Sequence, residues 1–120
     1  MADLNQLLLN RLVPRLREQG VKSSDPQTGL CVYRRDDRCC LIGHGIDDNH
    51  YNLDLEDESL ERVFPAVLAS NPDIGLTTET VDIDFWMAAQ SAHDSSDQDL
   101  GGFEASLAMA CHRFGYEVPK

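Results

Sequence analysis

Basic side chains are scarce in this sequence: ten lysines and arginines stand against twenty-one aspartates and glutamates, for a net charge of −11. The shortage argues against nucleic acid as a direct ligand, because phosphates are held through Lys and Arg and repelled by a field of carboxylates. An apolar run of membrane-spanning length is also missing. Leu7, Leu8 and Leu9 are followed at once by Asn10, Arg11 and Arg15, which is too short and too interrupted for a signal or membrane helix. The expectation is a cytoplasmic protein with no membrane partner. There is no nucleophile, base and orienting acid in a recognisable motif, and Gly43, His44 and Gly45 lack the later glycine and following helix of a dinucleotide loop. An enzyme is therefore not expected, and no cofactor is implied. Internal repeats and low-complexity tracts are absent too.

What is present fits one domain spanning residues 1–120, with 42% apolar and 26% charged residues. Leu4, Leu7, Leu8, Leu12 and Leu16 write an apolar stripe on a helix from about Asp3 to Gln19, capped by Asp3 and stopped by Gly20. Pro14 predicts a kink or break near Leu12. Ser23 to Gly29 reads as a loop. Leu30 to Arg34 and Arg38 to Ile42 read as the strands of a hairpin, and a two-residue turn at Asp36 and Asp37 places Tyr33 opposite Cys40. Ser59 caps a short helix through Phe64, with Pro65 opening a second turn. Asn71, Pro72 and Gly75 mark a loop. Val81, Phe85, Ala88, Ala89 and Ala92 share one face of a helix beginning near Asp82, with Trp86 flanking it. A last helix carries Phe103, Leu107, Ala110 and Phe114 and ends at Gly115. The fold class is α+β: a small, mostly helical domain around a short β-hairpin.

Charge is unevenly spread. Residues 1–38 hold seven bases and five acids, whereas residues 39–120 hold three bases and sixteen acids. Asp47, Asp48, Asp54, Glu56, Asp57, Glu58 and Glu61 crowd a connecting segment and are the candidate partner-binding residues, for which a basic protein is the natural complement.

Four cysteines lie at positions 31, 39, 40 and 111. The adjacent Cys39 and Cys40 and the lack of an export signal predict reduced thiols. Cys31, Cys40 and His44 are zinc's preferred ligand types, but the gaps are not those of Cys-x-x-Cys frameworks. His93 and Asp94 form the His-Asp pair found in metal-dependent phosphohydrolases, which need further ligands; a small phosphohydrolase or nucleotide-binding protein built on them is the alternative reading. Asp94, Asp97, Asp99 and Glu104 fail as a calcium loop because Ala108 falls where a carboxylate is needed. The expectation is a chain without metal, with buried thiols, exposed histidines at positions 44 and 50, a helix-end role for His93 and solvated carboxylates in the loop after Asp94.

The pattern Gln19-Gly20, Ser23, Cys31-x-Tyr33-Arg34, Cys40-x-x-Gly43, Ile46, Tyr51, Leu55-Glu56 and Gln90-x-x-His93-Asp94 resembles a widespread group of small bacteriophage and prophage proteins of unassigned activity. The resemblance implies an origin more than a mechanism, and it gives weight to Cys31, Cys40, His93 and Asp94 as a shared packing core or a shared site. Cys39 beside Cys40 and the acidic middle depart from the pattern. By analogy of class, small acidic phage proteins are often inhibitors that dock on basic nucleic-acid-handling proteins of the host bacterium, CRISPR complexes included, with carboxylates imitating a phosphate backbone.

Overall fold

The structure is a computed structural model, and it describes residues 3–24, 32–35, 37–56 and 58–120. Four α-helices and one two-stranded antiparallel sheet make an α+β fold: α1 (Leu4–Gln19), β1 (Arg34–Arg35), β2 (Arg38–Cys39), α2 (Leu60–Ser70), α3 (Ile83–Asp94) and α4 (Phe103–Phe114), with single 3₁₀ turns at Gly43–Gly45 and Leu53–Leu55. None of the helices among the described residues is long and apolar enough to cross a membrane.

The Asp3 side chain caps α1 by accepting the Asn5 N–H at 2.8 Å, and Gly20, at φ 73°, closes it with an N–H to the Leu16 carbonyl. The helix runs through Pro14 without a break; the Asn10 carbonyl that the proline leaves without its helical donor lies on the exposed side, where water can serve it. The buried stripe is Leu8, Leu9, Leu12, Val13 and Leu16, turned from the expected one so that Leu7 points outward. Asn5 explains the turn. Its buried side chain donates to the Thr80 carbonyl (3.1 Å) and accepts from the Asp82 N–H and the Trp86 indole (both 3.0 Å), which draws the Asn5 side of α1 against the start of α3.

The expected hairpin register is observed, with Arg34 opposite Cys39 and Arg35 opposite Arg38. The strands are much shorter than expected. After Cys39 the chain leaves the sheet for a turn in which Cys40, Leu41 and Ile42 are all completely buried, a burial on every side that a surface strand cannot give. Leu30 and Cys31 lie outside the described residues. Pro65 likewise does not divide α2, which runs unbroken for 11 residues with Val63, Phe64 and Val67 inward and the proline ring outward. On α3 the buried face is Phe85, Trp86, Ala89, Ala92 and His93; Trp86 lies at its centre and Ala88 at its edge.

One core joins every helix. The Trp86 ring packs against Phe64 (centroids 5.7 Å apart) and edge-on to Phe85 (5.3 Å), and Phe85 also meets Phe114 and Tyr116. The segment after α4 returns across α1: Gln6 exchanges two hydrogen bonds with the Glu117 backbone, and Arg17 donates to the Pro119 carbonyl at 2.7 Å.

Trp86→Ala is expected to cost about 3–5 kcal/mol, the range for deleting a fully buried aromatic. Asn5→Leu is expected to cost about 1–3 kcal/mol for each buried donor it orphans. Urea unfolding followed by circular dichroism measures both.

Candidate functional site

The hairpin is only two residues long on each side, so its outward backbone groups need partners from elsewhere. On the β2 side the Gln19 amide serves as a substitute strand, accepting the Cys39 N–H and donating to the Cys39 carbonyl, both at 2.9 Å. On the β1 side the Glu56 carboxylate does the same, accepting the N–H groups of Tyr33 (2.7 Å) and Arg34 (3.0 Å) together with the Tyr51 hydroxyl. Burial, then the bond to Glu56, pushes the Tyr51 phenol well above its ordinary value. Burial and the nearby Cys40, Asp94 and Glu56 raise Tyr33 to about 12.

Behind the hairpin, Gln90 accepts the Ile42 N–H (3.0 Å) and donates to Asp94 (2.9 Å). The His93 ring is completely buried. Its Nε2 accepts the Ser23 N–H at 3.2 Å, which leaves the proton on Nδ1 to be donated to Asp94 at 2.9 Å. The Cys40 sulfur accepts the Gly43 N–H (3.3 Å), while the Cys40 N–H donates to the Tyr33 carbonyl (3.1 Å). Gly43 cannot be anything else here: a β-carbon on it would lie 1.9 Å from the Tyr33 carbonyl oxygen.

One hydrogen-bonded network therefore runs from Gln19 through Tyr33, Arg34, Cys40, Gly43, Tyr51, Glu56 and Gln90 to His93 and Asp94. Both His93 nitrogens are engaged, and burial raises the Cys39 and Cys40 thiols. Cys39, Cys40 and Cys111 are free thiols. Among the described residues no three His, Cys, Asp or Glu side chains are grouped to hold a metal ion, so Cys40, His44, His93 and Asp94 are not brought together as ligands. Cys31 lies outside the described residues. The cleft lined by Val32, Tyr33, Glu56, Gln90 and Asp94 measures about 100 Å³, whereas small-molecule pockets typically span roughly 300–1,000 Å³.

His44 stands apart. Its Nε2 is buried without a hydrogen-bond partner, and burial, reinforced by Arg15, His93 and Arg34, lowers its pKa to about 4. No sequence pattern marks that environment, because the neighbouring cations come from α1 and β1.

The seven candidate acids divide. Glu56 is half-buried and spends both oxygens on the hairpin, so it belongs to the fold. Asp48 pairs with Arg34 at 2.6 Å yet is 94% exposed, and Arg34 in turn lies 4.4 Å over the Tyr51 ring. Asp47 is held below the usual carboxylate range by its hydrogen bond to His50. Glu58 meets Arg62 at 3.7 Å, while Asp54 and Glu61 point into solvent. Asp57 lies outside the described residues.

Compared with known proteins, the chain matches no family model, no curated protein and no solved structure.

Glu56→Gln replaces an acceptor of three hydrogen bonds with a group that is half donor, and is expected to cost about 1–3 kcal/mol, against about 0.5 kcal/mol or less for Glu61→Gln. Denaturant unfolding of the two variants separates the structural acid from the surface one. For His44, the unfolded chain takes up a proton near pH 6.5 while the folded chain resists until about 4. Stability is therefore lost as pH falls through that window, and His44→Gln is expected to flatten the decline in melting temperature there.

Proposed function

We propose that this chain is an acidic protein-interaction module of phage origin that acts in the host cytoplasm, docking on a basic surface of a nucleic-acid-handling host protein and inhibiting or modulating it. The observation that carries the reading is the construction of residues 47–61. One carboxylate, Glu56, is turned inward and fastens the segment to the hairpin, while Asp47, Asp48, Asp54 and Glu61 stand exposed around it. Charges held on a fixed backbone lose little freedom when they meet a partner, so the cost of ordering them is met during folding and not during binding.

The internal ion pairs refine the surface. Arg34 and Arg62 offset part of the charge beside Asp48 and Glu58, which leaves Asp54 and Glu61 as the carboxylates with the least local compensation. A spaced set of carboxylates of this kind can occupy a groove lined by Lys and Arg and meant for phosphates.

The test is affinity capture from host lysate at low and high ionic strength with the native chain and an Asp48→Lys, Asp54→Lys, Glu61→Lys variant. A DNA- or RNA-handling protein is expected to be recovered at low salt, and to be lost both at high salt and with the variant. The variant's melting temperature should change little, because exposed charges contribute about 0–1 kcal/mol each. Equal recovery by both chains, or no recovery by either, sinks the proposal.

A further inference from the structure

The outer face of the α3–α4 pair carries few charges for so acidic a chain. A groove of about 520 Å³ runs between the two helices, floored by Ala88, Ser91 and Ala92 of α3 and by Ser106 and Ala110 of α4. It continues into a cleft of about 400 Å³ at the end where α3 begins and α4 stops. Two large apolar side chains stand on its banks in solvent, Met87 at 52% and Met109 at 74% exposure. The neighbouring exposed positions Ala105, Ala108 and His112 carry no carboxylate. Methionines beside a floor of small residues are a soft, adaptable apolar surface of the kind used for helix docking.

From this face we infer that the chain associates with a second copy of itself, the two α3–α4 pairs forming a four-helix bundle about a two-fold axis parallel to the helices. Groove and protruding methionines occupy the same face, which is what an isologous interface requires: each copy offers the knob that the other's groove receives. Electrostatics select the same arrangement. Two chains of net charge −11 repel one another, so they can meet only across a face without net charge, and the lining here contains one carboxylate, Asp84, and one guanidinium, Arg113.

Those two charges fix the direction of the axis. Asp84 lies in the first turn of α3 and Arg113 in the last turn of α4, so both sit at one end of the groove. Neither makes an ion pair with another side chain among the described residues; Arg113 rests instead 5.2 Å over the Phe114 ring. An axis parallel to the helices sets α3 of one copy against α4 of the other with these ends together, so that Asp84 meets Arg113 of the second copy twice. It also makes every neighbouring helix pair in the bundle antiparallel. A perpendicular axis would instead bring Asp84 to the serine end of the groove and leave both charges unpaired.

Sedimentation equilibrium of the full chain at micromolar to submillimolar concentration tests the inference through a charge swap. The native chain is expected to approach twice its 13.4 kDa mass. Asp84→Arg and Arg113→Asp should each weaken the dimer about tenfold or more by placing like charges together. For Asp84→Arg this runs against the net charge, which moves two units toward neutrality and on its own would favour association. The double variant Asp84→Arg, Arg113→Asp restores opposite charges at unchanged net charge and should recover the native dimer. Both positions are exposed, and circular dichroism of each variant confirms the fold. A native chain that stays monomeric throughout, single variants that dimerise as well as the native chain, or a double variant no tighter than the singles would each overturn the inference.

Discussion

The fold depends on supplying hydrogen-bond partners to a hairpin too short to be a sheet. Two strands of two residues leave both outer edges open, and an unpaired edge is costly when buried and a template for aggregation when exposed. Here side chains complete the ladder: Gln19 from the end of α1 on one edge, and Glu56 from the acidic segment on the other. Each is a forked polar group able to satisfy two backbone positions at once. Because Gln19 ends one helix and Gln90 lies on another, the hairpin becomes the place where α1, α3 and the acidic segment are registered against one another.

This arrangement explains what the sequence disclosed and what it concealed. The helices α1, α3 and α4 and the hairpin register were legible, because periodicity of apolar residues, Asp and Gly caps and a two-residue turn are local signals. The continuity of α2 through Pro65 was hidden, since it depends on which side of the helix meets the core. Glu56 looked like one more surface acid in a run of seven; its role appears only when the Tyr33 and Arg34 N–H groups, more than twenty residues earlier, are brought against it. The His93-Asp94 pair was visible as a pattern but ambiguous in meaning. Its partners, the Ser23 backbone on His93 and Gln90 on Asp94, tie the 20–24 loop to α3, and no local pattern in the sequence announces either contact.

Acidity and rigidity then have separate origins. Fold-determining polar groups are few and saturated: Asn5, Gln19, Glu56, Gln90 and His93 each make two or more hydrogen bonds. Most of the remaining carboxylates lie outside these contacts, so their number can change without disturbing the interior. A chain built this way can vary its surface charge while holding its backbone constant.

The strap formed by the segment after α4 bears on how the chain folds. Gln6 and Arg17 of α1 are bonded to backbone at Glu117 and Pro119, separations of 111 and 102 residues. Contacts so distant along the chain close a long loop, whose entropy is given up before they return any stabilisation, so they raise the contact order and slow the search for the native arrangement.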